Sequence, residues 1–168
     1  QIHNLDQSFA SVLPKRILDA ESLPGAIARL RTENKKIVFT NGCFDLLHIG
    51  HVTYLEEAKK LGDILIVGIN TDASVQKLKG PTRPIQNEND RAEILAALKA
   101  VDHCILFSED TPLNLIKSIK PDVLVKGGDW QIHQIVGSAF VLSYGGLVKS
   151  LHFVNGKSTT ALIEKSKN

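Results

Sequence analysis

Four short apolar runs and a fifth, mixed one, each followed by a stretch of different period, constrain this chain more than anything else in it. They are Ile37-Val38-Phe39, Ile64-Leu65-Ile66-Val67-Gly68-Ile69, Cys104-Ile105-Leu106-Phe107, Val123-Leu124-Val125 and the segment 147–153. A strand with apolar residues on both faces must be covered on both faces, as in a parallel sheet layered between helices. Helical patterns separate the runs. Residues 22–32 place Leu23, Ile27 and Leu30 on one face; residues 51–61 do the same with Val52, Leu55 and Ala58 and stop at Gly62. Further helices are expected at 91–99, from Thr111-Pro112 to Lys120-Pro121, over 131–144 up to Gly145-Gly146, and from Ser158 onward. The charged stretch 71–88 reads as a loop. Right-handed crossovers then give an α/β fold, a single doubly wound domain with a five-stranded parallel sheet. Residues 1–35 read as a helical lead-in packed on a domain formed by 36–168.

With 168 residues, 43% of them hydrophobic, one domain with a substantial core is expected. A net charge of +2 is too small to argue for nucleic acid or a membrane surface as partner. No apolar stretch reaches the length of a membrane-spanning helix, and the first residues lack the apolar core of a signal peptide. Cys43 and Cys104 lie in apolar runs without metal-ligand spacing, so free thiols in a reduced, cytoplasmic protein are expected.

Ligands of such sheets bind beyond the carboxyl ends of the strands. Four motifs fall there: 40–51, 70–72, 126–130 and 156–160. The first, Thr40-Asn41-Gly42-Cys43-Phe44-Asp45-Leu46-Leu47-His48-Ile49-Gly50-His51, runs from a strand through a turn into a helix. Backbone N–H groups, a helix N-terminus and two imidazoles three residues apart would surround a polyphosphate there. Taken alone, His-x-Gly-His fits equally well a capping histidine beside a surface one; a zinc pair lacks a third ligand at matching spacing. Ser158-Thr159-Thr160 opens a helix and serves as a cap, an anion site or both. Lys77, Lys79 and Arg83 crowd one loop, either solvated or part of a moving flap. Cys43 reads as a small buried filler, and Trp130 as a core residue or a site residue with equal weight.

The run 40–51 resembles the cytidylyltransferase-like nucleotidyltransferases. Lys79-Gly80-Pro81-Thr82-Arg83-Pro84, Val125-Lys126-Gly127-Gly128-Asp129-Trp130 and Ser158-Thr159-Thr160 make the likeness closer to their heptose 1-phosphate adenylyltransferase branch, the adenylyltransferase domain of ADP-heptose synthase. The resemblance extends from about residue 22 to the C-terminus and implies a Rossmann-like nucleotidyltransferase fold. It implies AMP transfer from ATP to D-glycero-β-D-manno-heptose 1-phosphate, giving ADP-heptose and pyrophosphate for lipopolysaccharide precursors. ATP is the implied co-substrate, with Mg²⁺ bridging phosphates and no metal held by the protein itself. Catalysis is expected from His48, His51 and Lys79. Nucleotide binding is expected from Thr40, Asn41, Gly42, Phe44, Arg91, Lys126, Gly127, Asp129, Ser158, Thr159 and Thr160. Substrate binding is expected from Asp45, Asp72, Lys77, Arg83 and Trp130, the aspartates taking sugar hydroxyls. The expected partners are small molecules and further copies of the chain in a homo-oligomer.

Two other readings stand beside this one. A cytidylyltransferase acting on glycerol 3-phosphate would use the same chemistry, although the Arg of its usual Arg-Thr-Glu-Gly-Ile run is missing from 153–157, where Lys157 is the remaining cation. A non-catalytic nucleotide sensor on the same fold is disfavoured by the presence of His48, His51, Lys79 and Ser158.

Overall fold

The computed structural model describes residues 16–152 and 158–166. Among these residues six strands form one all-parallel sheet: β1 (Ile17–Leu18), β2 (Ile37–Gly42), β3 (Ile64–Asn70), β4 (His103–Phe107), β5 (Val123–Gly127) and β6 (Leu147–Leu151). Their order is β1-β4-β3-β2-β5-β6, so the chain reverses its direction of travel across the sheet between β2 and β5. The sheet thus has one strand more than expected. β1 pairs Ile17 with Cys104 and Leu18 with Ile105. Two residues carry no period, which is why this strand is invisible in sequence.

Among the described residues seven α-helices connect and cover the strands: α1 (Leu23–Thr32), α2 (Ile49–Lys59), α3 (Asp72–Lys79), α4 (Glu88–Ala96), α5 (Leu113–Ile119), α6 (Ser138–Ser143) and α7 (Thr159–Ser166). Side chains on successive strand residues point to opposite faces, and both faces are dry. Val38, Leu65 and Val67 pack with Tyr54 and Leu55 of α2 and Leu95 of α4. Ile37, Phe39 and Ile66 pack on the other face with Leu30 of α1, Ile116 and Ile119 of α5 and Val141 of α6. Leu18, Leu23 and Leu30 share this second core, so the described part of the expected lead-in belongs to the sandwich. Its first fifteen residues, and the 153–157 run with Lys157, lie outside the described residues.

Two expected elements differ. The 71–88 loop contains α3. Val75 is buried while Leu78 stands in solvent, so the helix has almost no apolar face; it is sustained by Thr71, whose hydroxyl accepts from the Ser74 N–H, with Asp72 in its first turn and Lys77 and Lys79 in its last. The helix expected over 131–144 is instead a 3₁₀ turn (Ile132–Gln134) followed by the short α6. Gly137 separates them with φ +86°, and a Cβ there would meet Ile116 Cδ1 at 2.7 Å. Close packing on α5 thus needs glycine at the point where helical periodicity ran on.

Candidate active site

The β2–β5 ladder pairs Val38 with Val123 and Phe39 with Leu124, then ends. β2 remains paired to β3 through Gly42, and β5 to β6 through Gly127. The two halves of the sheet therefore part at Thr40, and a crevice opens between the strand ends, at the topological switch point. A cavity of about 180 Å³ occupies it, lined by Asn41–Asp45, His51, Tyr54, Lys79, Lys126, Gly127 and Thr159.

The histidines owe their pose to the start of α2. His48 is its N-cap, in extended backbone, and its Nδ1 accepts from the Gly50 N–H at 3.1 Å. In the neutral ring this puts the proton on Nε2, making that atom a donor. His51 stacks on His48 with ring centroids 3.9 Å apart and planes at 27°. The Phe44 ring meets His51 edge-on at 5.4 Å. Phe44 itself is buried in the left-handed region, at φ +47°, and its Cε2 lies 3.0 Å from where a Cβ on Gly42 would be. Burial, then the neighbouring His48 and Lys79, lower the His51 pKa to about 4. His51 is therefore neutral at pH 7, and its Nδ1 is buried without a hydrogen-bond partner.

Two cations line the same cavity. Lys79 ends α3; Lys126 comes from β5, where burial lowers its pKa below the usual ammonium value. The Lys126 ammonium lies 5.8 Å from the centroid of the Trp130 ring, whose Nε1 donates to the Gly127 carbonyl at 3.0 Å. Trp130 is 45% exposed, a rim residue and not a core one. The N-terminus of α7 closes the site. Ser158 Oγ accepts from the Ala161 N–H at 3.1 Å as a cap, and Thr159 Oγ1 donates to the Leu46 carbonyl at 3.0 Å, tying the helix to the histidine loop. Thr160 is exposed.

Several expected site residues are bonded to other groups of the chain itself. Thr40 shares the sheet face of Val38, so its hydroxyl is buried against the Tyr54 hydroxyl of α2 and does not line the cavity. Arg91 is fully buried, donating to the carbonyls of Cys43 (2.6 Å), Asn70 (2.8 Å) and Gln86 (3.0 Å) and to Asp72 (2.7 Å). It sews the ends of β2 and β3 to the 80–86 turn; a buried guanidinium with that many acceptors is occupied. Asp72 is correspondingly held by Arg91. Lys77, on another face of α3 from Lys79, pairs with Asp110 at 2.7 Å in solvent. Asp129 pairs with His152 at 2.6 Å, also in solvent.

Asp45 departs furthest from expectation. Its carboxylate has no exposed surface. Oδ2 accepts from Arg83 Nε at 2.6 Å, and the Ile85 and Gln86 N–H groups donate to Oδ1 at 2.8 and 3.0 Å. Ile85 N–H also lies 3.0 Å from Oδ2. A carboxylate offers about four acceptor sites, so little capacity is left here for a sugar hydroxyl. Burial alone would raise its pKa, but the N–H groups of Gln86 and Ile85 and the Arg83 guanidinium outweigh it and hold the group below its ordinary value.

Sequence reasoning missed two lining residues. Tyr54 stands three residues after His51 on the same face of α2, a spacing that points to it. Cys43 lines the cavity and is half-exposed, its thiol 3.8 Å from Asn70 Oδ1, so it is not a buried filler.

Residues 39–165 match the cytidylyltransferase-like family. The bifunctional protein HldE of Citrifermentans bemidjiense is 55% identical over 150 residues, covering 89% of this chain and 31% of that protein. HldE of Pseudomonas fluorescens is 58% identical over 149 residues, with 89% and 31% covered. The chain thus spans about a third of the length of these curated relatives. A solved lipopolysaccharide core biosynthesis protein from Thermoplasma volcanium superposes with TM-score 0.59 at 33% identity, over 73% of this chain and 99% of that one. Pantoate-beta-alanine ligase from Francisella tularensis, solved with beta-gamma ATP and beta-alanine, gives TM-score 0.61 at 17% identity over 90% and 76% of the two chains, a likeness of fold alone.

Proposed function

The chain belongs to the cytidylyltransferase-like family, and from that premise we propose that it transfers AMP from ATP to D-glycero-β-D-manno-heptose 1-phosphate, releasing pyrophosphate, in the supply of lipopolysaccharide precursors. The observation that carries the reading is the convergence of His51, Lys79, Lys126 and Thr159 at the α7 N-terminus around one crevice at the sheet's switch point, with His48 stacked on His51 behind that lining.

In the proposed reaction an oxygen of the acceptor phosphate bonds to the α-phosphorus, and the bond from that phosphorus to the bridging oxygen of the leaving pyrophosphate breaks. A phosphate monoester is largely dianionic near pH 7, so its attacking oxygen needs no base. What the protein has to supply is alignment and positive charge. The two stacked imidazoles, of which His51 is neutral at pH 7, act as hydrogen-bond donors to phosphate oxygens. Lys79 and Lys126 offset charge from two sides of the cavity. The backbone at Asn41 and Gly42 and the N–H groups opening α7 receive the triphosphate. Mg²⁺ would arrive on the nucleotide and neutralise phosphate charge; among the described residues no group of three His, Cys, Asp or Glu is gathered to hold a metal. The HldE names support the heptose acceptor. Association into a homo-oligomer belongs to the same proposal, and sedimentation velocity tests it.

The deciding assay is pyrophosphate release with Mg²⁺, pairing ATP or CTP with the heptose phosphate or glycerol 3-phosphate. Turnover confined to ATP with the heptose phosphate is expected. Turnover with CTP and glycerol 3-phosphate overturns the substrate assignment and keeps the chemistry. Binding of ATP without release from any pair overturns the enzymatic reading in favour of a sensor.

A further inference from the structure

The turn 80–86 connects α3, which ends in Lys79, to α4. It is tied down at three points. The Arg83 N–H closes on the Gly80 carbonyl at 3.2 Å. Arg83 Nε and the N–H groups of Ile85 and Gln86 converge on Asp45. The Gln86 carbonyl accepts from Arg91, which also holds the Cys43 carbonyl. Asp45 stands three residues before His48, so its carboxylate joins the histidine loop to the segment that carries Lys79. Lys79, by contrast, is exposed along most of its length and reaches the cavity from a helix end followed by glycine at φ +96°. The buried Ser74 and Val75 anchor the start of its short helix, and near its end Lys77 pairs with Asp110 in solvent.

From this geometry we propose that Asp45 is a positioning residue: its carboxylate clamps the 80–86 turn and thereby sets Lys79 beside His51, and it acts on the ligand through Lys79. The inference goes beyond the reading of the site as a transferase and stands without it, because the clamp is a property of the unliganded chain. A buried anion with this bond set is rigid. Removing its charge frees two backbone donors and the Arg83 guanidinium at once.

His51 itself reports where Lys79 sits, since the Lys79 charge is one of the causes that lower the His51 pKa. Burial and His48 are the other causes; the remaining titratable residues lining the cavity are Cys43, Asp45, Tyr54 and Lys126. Deleting the Asp45 charge would by itself lower the His51 pKa further. Release of Lys79 would raise it. The two explanations therefore differ in sign.

The test is a double-mutant cycle of Asp45→Asn and Lys79→Ala, read by NMR titration of His51 and by calorimetric ATP affinity. Each single variant is expected to raise the His51 pKa above about 4 and to weaken ATP about tenfold, the loss of one charge-assisted contact. The double variant is expected to match Lys79→Ala within twofold. A His51 pKa that falls in Asp45→Asn, or ATP losses that multiply in the double variant, overturns the clamp. Arg83→Lys keeps the positive charge and the two backbone bonds to Asp45 but not the Nε bond, and serves if Asp45→Asn does not fold: a smaller rise of the His51 pKa supports the clamp, and no change overturns it. Should wild type bind no ATP, the transferase reading fails and the His51 titration still decides the clamp.

Discussion

The two ends of the sheet solve opposite problems. At the end where strands begin, an aspartate stands immediately before each of β3, β4 and β5, and each carboxylate accepts a backbone N–H from the neighbouring strand or its approach. Asp63 takes Lys36, Asp102 takes Leu65 and Asp122 takes Ile37, all at 2.7 Å. Arg31 and Lys59 then neutralise Asp122 and Asp102. At the end where strands finish, polar groups are left wanting. Among the described residues the buried side-chain polar atoms without a hydrogen bond are His51 Nδ1 and Arg83 Nη2, and both lie there. Phe44 holds a left-handed backbone there, and Lys126 is desolvated there. A depression of about 640 Å³ near Arg31, Lys36 and Asp122, far larger than the site cavity, lies at the first end. Arg31 and Asp122 there are already bonded to each other, so size is a poor guide to function here. Unsatisfied groups are the better guide, because an unpaired buried donor costs stability unless a ligand completes it.

Substitution at each end sharpens the contrast. The largest effect is expected from His48→Asn. Asparagine still caps α2, but it lacks the Nε2 donor. Turnover should fall about 10²–10³-fold, the usual loss for one donor to a developing charge, while the thermal midpoint moves by no more than a degree or two. A comparable loss of both would sink the separation of the ends. Asp122→Ala should do the reverse. It strands the Ile37 N–H and Arg31, so urea denaturation should show a loss of about 1–3 kcal/mol, with turnover of the folded protein unchanged.

The smallest and most diagnostic effect is in pH. His51 has a folded pKa of about 4, below its ordinary 6.5, so the unfolded chain takes up its proton first. That group therefore destabilises the fold progressively as pH falls from about 6.5 to about 4. Asp45, with a folded pKa below 3.8, contributes stability above that value and loses it as pH falls through the lower folded pKa. Both act in the same direction, and turnover should show no break near 6.5 that belongs to His51. A His51 NMR titration with a midpoint near 6.5 would remove the buried, neutral imidazole from the account.

The legible features were those whose signal is local. All-apolar runs gave four strands, and the mixed run after Gly145-Gly146 gave β6. Lys120-Pro121 marked the end of α5, where Lys120 takes the left-handed conformation and proline bars continuation. The motifs at strand ends brought Asn41, Gly42, Phe44, His51, Lys79, Lys126 and Thr159 to one cavity. A helix as polar as α3 was not legible, because its stability comes from caps and from charges at its ends.

Sequence by itself thus determined the layered α/β architecture, the family, and which strand ends carry the chemistry, since a period of two or of 3.6 and a glycine turn are written in neighbouring residues. Tertiary structure alone decided what each charge does. Asp45 and Arg91 look like ligands in sequence and are bonded to the chain's own backbone in space. Their partners are 40 and 48 positions away, and whether a carboxylate or guanidinium has capacity left for a ligand depends on acceptors and donors that only the folded chain brings within 3 Å.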